Sequence, residues 1–355
     1  MRPIFDAHLD LAWNAVSFDR DLTQPIELIR QRESAMTDHP SRGRNTVSLP
    51  ELRRAGVAVC VATLLARSGQ DVKPSSDPKP IDLDYASPAL ACDAARRQLA
   101  YYELLEQQGH ARIIRTAGEL ATHWKSPKTI GIILSMEGAD PITEPTQVQH
   151  WWDQGLRAIG LAHYGRGQYA CGTGTGGPLS DRGIELLREM QRVGMILDVT
   201  HLSDTSMQQA LEIFSGPVLA SHHNCRTLVP RDRQLTDEQI RVLVDRDAVI
   251  GVALDAWMLH PGWERGVTKP DAVAISAAVD HIDRVCQLAG NTRHIGIGSD
   301  LDGGFGTEQT PRELNTIADL QKLVDILSSR GYADVEINAI FHGNWLRFFR
   351  DALPA

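Results

Sequence analysis

The feature that most constrains the fold is a regular alternation of short apolar runs with amphipathic segments. The runs are rich in β-branched residues, which is typical of parallel strands that are buried on both faces. Alternating strands and helices give a parallel sheet, and eight strands can close into a barrel. Eight runs can be identified, at residues 3–9, 56–65, 129–136, 156–162, 194–200, 216–221, 247–254 and 293–299. The sequence therefore predicts an α/β fold, a (β/α)8 or TIM barrel.

Capping residues and helical spacing predict where the helices lie. Gly109 and Gly194 each follow an amphipathic stretch and are typical of helix C-termini. Ser203 and Thr236 are suited to cap the N-termini of two others. The predicted helices are 88–108, 181–193, 205–214, 237–246, 271–289, 313–329 and 334–350.

Two stretches predict long loops at the C-terminal mouth of the barrel. Residues 66–86 are rich in Pro, Ser, Asp and Lys, and residues 164–180 contain too many glycines for regular structure. Both follow predicted strands, which makes them candidate lids over the catalytic face. The glycines at 172–177 lack the Gly-Lys-Ser/Thr or GxGxxG pattern of a phosphate loop. No linker divides the chain, so a single barrel domain over residues 1–355 is expected.

Composition excludes several classes of protein. The chain has 355 residues, 42% hydrophobic and 23% charged, which is ordinary for a globular protein. A net charge of -9 without a basic stripe argues against nucleic-acid binding. No apolar stretch is long enough to span a bilayer, and no signal peptide precedes the first strand. Five scattered cysteines without CxxC spacing indicate reduced thiols in a cytoplasmic protein, and no zinc–thiolate site.

Side chains that commonly bind metals stand at the ends of several predicted strands. Because the C-terminal ends of barrel strands converge on one mouth, we expect these side chains to meet there. Imidazole and carboxylate ligands suit zinc or a similar divalent ion. Two of the side chains are two residues apart on a strand and point the same way. The set predicts a metal centre and consists of His8, Asp10, Glu137, His201, His222 and Asp300.

Six ordered motifs resemble those of the renal (membrane) dipeptidase family, which consists of binuclear zinc peptidases in the amidohydrolase superfamily. The resemblance runs from residue 3 to about residue 349. The motifs are Phe-Asp-Ala-His-Leu-Asp-Leu-Ala-Trp (5–13), Gly-Ile-Ile-Leu-Ser-Met-Glu-Gly (131–138), Leu-Ala-His (161–163), Asp-Val-Thr-His-Leu-Ser (198–203), Ser-His-His-Asn (221–224) and Gly-Ile-Gly-Ser-Asp-Leu-Asp-Gly (296–303).

The resemblance implies two zinc ions and assigns their ligands. His8 and Asp10 would hold one ion, His201 and His222 the other, and Glu137 would bridge them. The neighbouring His223 is an alternative to His222 that the residues alone do not exclude.

The resemblance also implies a dipeptide substrate and a homodimer. His163 matches a histidine that contacts the scissile carbonyl, and Asp300 matches the acid/base carboxylate. Arg233 matches an arginine that binds the substrate carboxylate, although Arg226 and Arg231 lie nearby.

These assignments predict a dipeptidase for substrates with a free C-terminal carboxylate, including L-Xaa-D-Xaa dipeptides. A metal-bridging hydroxide would be the nucleophile. One alternative is another binuclear amidohydrolase, but such enzymes usually carry His-x-His and a modified lysine where this chain has His-x-Asp and Glu137. A metal-binding scaffold without turnover is a second alternative, and no ligand or acid/base residue is missing to favour it. Residues 255–259 depart from the family where some relatives place a substrate-contacting tyrosine.

Overall fold

The computed structural model describes residues 1–69 and 81–355, and nine strands lie in one sheet of this part of the chain. Every pairing between the named strands is parallel. The strands are β1 (Ile4–Leu9), β2 (Val57–Leu65), β3 (Ala111–Ile113), β4 (Ile130–Glu137), β5 (Leu156–Gly160), β6 (Ile196–Asp198), β7 (Val218–Leu219), β8 (Ile250–Val252) and β9 (Ile295–Ile297).

Helices fill the intervals between most of these strands. They are α1 (Leu11–Ser17), α2 (Ile26–Glu33), α3 (Leu49–Ala55), α4 (Pro88–Gln107), α5 (Ala117–Lys125), α6 (Val148–Asp153), α7 (Asp181–Val193), α8 (Asp204–Ile213), α9 (Asp237–Asp245), α10 (Ala256–Leu259), α11 (Ala277–Ala289), α12 (Lys322–Ser329), α13 (Asp334–Asn338) and α14 (Asn344–Ala352). Shorter 3₁₀ segments lie at Pro145–Gln147, Pro270–Ala272 and Ile317–Gln321, and a π-helical segment lies at Ala339–Gly343.

Eight of the strands form a nearly closed barrel. Their order is β7-β6-β5-β4-β2-β1-β9-β8. A parallel bridge between Ala220 and Ile250 joins the two ends of this order, with the Gly251 N–H donating to the Ala220 carbonyl at 2.8 Å. The predicted TIM-barrel fold is confirmed.

The ninth strand was not predicted. β3 pairs with the start of β4 outside the barrel order, and its three residues are too few to show a strand period. Several predicted strands are also shorter in the structure than in the prediction; the run 216–221, for example, has only Val218 and Leu219 in strand pairing. The remaining residues of such runs lie outside the named strands, before or after the paired segment.

The helix predictions succeed where capping signals are strong. The Ser203 hydroxyl accepts from the Ser206 N–H at the start of α8, and Thr236 and Gln239 form a capping box on α9. Gly194 adopts the left-handed conformation at the end of α7. The predicted helices 271–289, 313–329 and 334–350 are each interrupted, because 3₁₀ or π-helical turns occupy part of them.

The barrel interior is filled below the mouth by apolar side chains from the strands and from α14. Phe5 stacks on Phe349 with ring centroids 5.2 Å apart, and Trp345 donates its indole N–H to the Ile297 carbonyl at 2.9 Å. Aromatic packing of this kind contributes large buried area. The C-terminal helix therefore closes the end of the barrel opposite to the mouth.

The two predicted loops differ in how far they can be described. Residues 164–180 contain no helix or strand, only isolated bridges such as Arg166 to Cys171, in agreement with the prediction. In the loop 66–86, a bridge joins Arg67 to Asp84. The middle of that predicted loop, residues 70–80, lies outside the described residues. In the described part of the chain, no helix is long and apolar enough to cross a membrane.

Candidate active site

The predicted ligands converge at the barrel mouth from five strands, and all of them except His8 line one cavity there. His8 lies in β1 and Asp10 directly after it, and Glu137 is the last residue of β4. His201, His222 and Asp300 each lie three residues beyond a strand, namely β6, β7 and β9. All six are buried, from 1% exposed for His222 to 9% for Asp300.

The pairing of β1 with β2 is irregular where it carries His8. The register shifts between Asp6 and Leu9. Irregularities of this kind change the direction of a side chain and are frequent next to active sites. This one accompanies the approach of His8 to the Glu137 and Asp300 carboxylates, although Ala7, its neighbour, belongs to the apolar filling of the barrel.

The Glu137 carboxylate is the centre of the arrangement. Its Oε1 atom lies 3.1 Å from His201 Nε2, 3.4 Å from His222 Nε2 and 3.8 Å from His163 Nε2. Its other oxygen lies 3.5 Å from His8 Nε2, which is also 3.7 Å from Asp10. One carboxylate thus faces imidazoles that come from opposite sides of the barrel mouth.

These donors fit metal ions. Three sets have one potential ligand atom per residue within 4.8 Å of one another: His8–Asp10–Glu137, Glu137–His201–His222 and His8–His222–Asp300. His8 Nε2 is buried and has no hydrogen-bond partner in the described residues. A buried polar atom without a partner is costly, and metal coordination would satisfy it.

Burial also favours the protonation state that metals require. Burial holds the pKa of His201 and His222 well below the usual histidine value, so both rings are neutral and can offer a lone pair. Burial likewise lowers the pKa of His8, but the nearby Glu137 and Asp10 carboxylates outweigh it and raise that pKa. In the protein alone, His8 therefore carries the proton that a metal ion would replace.

Hydrogen bonds at the far side of the imidazole rings set their orientation. The Thr173 hydroxyl lies 3.0 Å from His201 Nδ1, and the Ser221 hydroxyl lies 2.9 Å from His222 Nδ1. Thr63 donates to the Asp10 carboxylate. Partners of this kind fix the ring tautomer and leave Nε2 directed at the metal position. These hydroxyl partners could not be predicted from the sequence, because an isolated Ser or Thr follows no recognisable sequence pattern.

Asp300 is held in a specific position by its surroundings. Its backbone has φ of +59°, in the left-handed region that side chains other than glycine rarely adopt. A Cβ on Gly303 would lie 2.0 Å from Asp300 Oδ1, so only glycine leaves room for this carboxylate. The buried Asp6 accepts from the Ser299 N–H at 2.8 Å and thus ties the residue before Asp300 to β1.

The Asp300 carboxylate lies 3.7 Å from His8 Nε2, and burial raises its pKa well above the usual value. Asp302, the other carboxylate of this motif, contacts no ligand histidine. It accepts from the Thr46 N–H at 2.6 Å and from the Val47 N–H at 3.0 Å. Asp302 is therefore structural and anchors the segment before α3.

The structure separates the neighbouring arginines and histidines that the sequence left open. Arg233 lines the cavity and is 2% exposed. Its Nη2 donates to the His222 carbonyl at 2.8 Å, while Nη1 is buried without a partner in the described residues. Arg226 instead pairs with Asp204, and Arg231 donates to the Trp263 carbonyl.

His222, and not His223, faces Glu137. The neighbouring His223 donates its backbone N–H to the Gly251 carbonyl at 2.7 Å, and its ring is not among the described groups that line the cavity. The alternative assignment to His223 is therefore not supported by geometry.

The cavity has a volume of about 790 Å³ and continues outward to loop residues that the sequence analysis did not single out as site residues. Arg67 pairs with Asp84, and its Nη1 lies 3.5 Å from His163 Nδ1. Asp255 and Arg265 line the cavity as well. Asp84 and Arg265 have no strand-end context, so only the tertiary structure brings them to the site, whereas Arg67 and Asp255 follow the ends of β2 and β8 by two and three residues.

Comparisons with known proteins agree with this geometry. The model of the membrane dipeptidase family, peptidase family M19, matches residues 1–353. A protein encoded in the pqqA 5' region of Klebsiella pneumoniae is 27% identical over 270 residues, which are 73% of this chain and 96% of that protein. Dipeptidase aclJ of Aspergillus oryzae is 28% identical over 64% of this chain and 53% of its own length. The match thus spans about half of that fungal dipeptidase.

Solved structures share the fold. Dipeptidase AC, a metallopeptidase of family M19, superposes with a TM-score of 0.80 at 21% identity, covering 100% of this chain and 99% of the other. A metallopeptidase of Rhodobacter sphaeroides, bound to a phosphinate mimic of the dipeptide L-Ala-D-Ala, gives a TM-score of 0.78 at 22% identity and covers 99% of each chain. The family match over nearly the whole chain confirms the resemblance seen in the sequence motifs. The chain belongs to the membrane dipeptidase family of dipeptide-hydrolysing metallopeptidases.

Proposed function

We propose that this protein is a zinc-dependent dipeptidase that cleaves dipeptides with a free C-terminal carboxylate, L-Xaa-D-Xaa dipeptides among them. The observation that carries the proposal is the convergence of four imidazole Nε2 atoms on the Glu137 carboxylate. An unpartnered guanidinium N–H of Arg233 stands in the same cavity. The mimic of L-Ala-D-Ala bound to the Rhodobacter sphaeroides relative supports the stereochemical part.

The donor set suits two zinc ions. His8 and Asp10 would hold one ion, His201 and His222 the other, and Glu137 would contact both. When bound, the ions would polarise the scissile carbonyl and lower the pKa of the attacking water. Thr173 and Ser221 keep the ligand rings turned towards Glu137 through their contacts with Nδ1.

Asp300 is placed to move the proton. Its carboxylate accepts a proton from the attacking water and gives it to the nitrogen of the leaving amine, as general acid–base catalysis requires. The left-handed backbone and the space left by Gly303 hold it in position for both steps. Its pKa, raised by burial in the protein alone, is set by the ions once they are bound.

His163 is placed to stabilise negative charge on the carbonyl oxygen. A guanidinium can only donate, so the approach of Arg67 Nη1 to His163 Nδ1 favours the tautomer with its proton on Nε2. Nε2 is the atom that faces Glu137 and the cavity. A donor aimed at a developing oxyanion is worth about 3 kcal/mol in other enzymes.

Arg233 is placed to bind the substrate carboxylate. Its Nη2 is fixed by the His222 carbonyl, which leaves the unpartnered Nη1 free to donate. A buried arginine with a free N–H forms strong, charge-assisted hydrogen bonds to a carboxylate. The enzyme would therefore select substrates with a free C-terminus, because an amidated C-terminus has no negative charge for Arg233 to bind.

The test combines metal content and hydrolysis on one preparation. The substrates are L-Xaa-L-Xaa and L-Xaa-D-Xaa dipeptides, each with a C-terminally amidated control. We expect close to two zinc ions per chain and hydrolysis that is lost on amidation. Hydrolysis indifferent to amidation would remove the carboxylate clamp, and bound metal without any hydrolysis would indicate a scaffold.

Arg233→Ala tests the clamp directly. We expect kcat/KM for free dipeptides to fall on the order of a hundredfold, because a buried charge-assisted contact is lost. Arg226→Ala is the matched control. Arg226 lies in the same segment of the chain as Arg233, but its guanidinium pairs with Asp204. An unchanged kcat/KM in Arg233→Ala would refute the assignment.

A further inference from the structure

A second arginine reaches the cavity from the loop after α10. Arg265 lines the cavity, and its side chain is 57% exposed. Its guanidinium carbon lies 5.0 Å from the centroid of the Trp257 ring. Cation–π stacking on an indole holds the guanidinium plane while the N–H groups at its edge stay accessible. Arg265 is thus both positioned and open to solvent.

The N–H groups of Arg265 are not used by the nearest carboxylate. Arg265 Nη2 lies 3.7 Å from Asp255 Oδ2, which is beyond hydrogen-bond distance. Asp255 accepts instead from the Trp257 N–H at 2.8 Å and from Gln309 Nε2 at 2.8 and 3.0 Å. Within residues 1–69 and 81–355, the guanidinium of Arg265 makes an ion pair and a stacking contact but no hydrogen bond.

Arg265 and Arg233 line the same cavity, together with Tyr164 and Asp255. Burial raises the pKa of Tyr164 and of Asp255, and the positive charges of both arginines oppose this rise at both groups. Arg67, the other arginine of the cavity, is already paired with Asp84. The cavity therefore offers two cationic groups with free donors, of which only one is needed for a terminal carboxylate.

We infer that Arg265 is a specificity-determining residue that binds a side-chain carboxylate on the C-terminal residue of the substrate. The inference rests on the proposed dipeptidase function. With the terminal carboxylate on Arg233, the side chain of the same residue extends into the cavity that Arg265 also lines. A glutamate or aspartate in this place meets a guanidinium that is already oriented by Trp257. The favoured substrates are then dipeptides that end in an acidic residue.

The experiment compares isosteric substrates in matched variants. Ala-Glu and Ala-Gln, in the stereoisomer that the wild type hydrolyses faster, differ only in the side-chain charge. The readout is the ratio of their kcat/KM values, in which any general loss of folding or metal cancels. We expect the wild type to favour Ala-Glu on the order of tenfold, as for a charge-assisted contact at a partly exposed site. Arg265→Gln should bring the ratio close to one, and Arg265→Lys should restore part of it.

Arg231→Gln is the control, because Arg231 stacks on the same Trp257 ring at 4.7 Å but donates to the Trp263 carbonyl, not into the cavity. Its ratio should match the wild type. If the Ala-Glu to Ala-Gln ratio does not change in Arg265→Gln, the inference is wrong. It is also wrong if the wild type shows a charge preference only for the N-terminal residue, with Glu-Ala hydrolysed faster than Gln-Ala. If neutral dipeptides are still hydrolysed in those cases, the proposed function stands; if the wild type hydrolyses no dipeptide, both fail.

Discussion

The floor and the rim of the cavity are built in different ways. The floor consists of the six predicted ligand and acid/base residues, His8, Asp10, Glu137, His201, His222 and Asp300, all at most 9% exposed. The rim consists of Arg67, Asp84 and Arg265, which come from the segments that follow β2 and α10. Arg265 is more than half exposed, and the Arg67–Asp84 pair is partly exposed.

The difference follows from what each region can tolerate. Floor side chains lie in or within three residues of strands, and hydrogen bonds such as Thr173 to His201 fix their rings. Because the floor is buried, a small displacement or an unpaired group there is costly. Rim groups are partly exposed, so solvent and salt screen their charges and single contacts are weak. Catalysis should therefore depend steeply on the floor, and substrate preference should depend gently on the rim.

Glu137→Gln should have the largest effect. The substitution keeps the shape of the side chain but removes the charge that faces four imidazoles. We expect kcat/KM to fall by about a thousandfold or more, together with loss of bound metal. Metal analysis and steady-state kinetics on the purified variant measure both, and circular dichroism checks the fold. A variant that retained both ions and full activity would show that Glu137 is not central to the floor.

Gly303→Ala should have the next largest effect on activity. The new Cβ would lie 2.0 Å from Asp300 Oδ1 and must displace that carboxylate. A shift of about 1 Å in a reacting group can cost on the order of a hundredfold, so kcat should fall by that factor with metal content retained. Gly176→Ala is the control, because no described atom lies within 4 Å of its Cβ position. Equal kinetics for the two variants would mean that the position of Asp300 is not critical.

Thr173→Val should weaken metal binding without touching a ligand. The substitution keeps the side-chain volume but removes the hydroxyl that lies 3.0 Å from His201 Nδ1. Loss of such a partner typically lowers metal affinity by about 10- to 100-fold, measurable by competition with a chelator. Thr175→Val, which removes a hydroxyl that bonds only to backbone carbonyls of the same loop, should retain wild-type affinity. Matching affinities in both variants would argue against orientation of the ring by Thr173.

Asp84→Asn on the rim should have the smallest effect. Arg67 loses a partly exposed ionic partner but can keep its approach to His163. Exposed pairs are worth up to about 1 kcal/mol, so kcat/KM should change less than about fivefold and the change should shrink at high salt. Kinetics at low and high ionic strength provide the measurement. A loss as large as that for Gly303→Ala would remove the distinction between floor and rim.

Much of the floor could be predicted from the sequence because its residues have a one-dimensional signal. Each follows an apolar run, and parallel strands bring their C-terminal ends together whatever the loops do. The same rule predicted the barrel. It did not predict β3, whose three residues are too short for a period, or the interruption of the predicted helix 334–350 by a π-helical turn.

Residues that act through a neighbour could not be predicted in this way. Thr173 reaches His201 from the glycine-rich loop, and Asp6 reaches Ser299 across the barrel. Their effect depends on distances between segments far apart in the chain, which no local pattern encodes. The sequence assigned Arg233 only through the family resemblance, since Arg226 and Arg231 lie in the same irregular segment.

The sequence by itself determined the barrel, the family and the set of side chains proposed for the metal centre, because hydrophobic periodicity and strand-end position are local properties. Only the tertiary structure decided which arginine enters the cavity, which histidine of the pair 222–223 faces Glu137, and how Gly303 makes room for Asp300. It also brought Arg265 and Trp257 to the rim. These outcomes depend on packing between segments distant in sequence, where shape and burial, not residue pattern, select one arrangement.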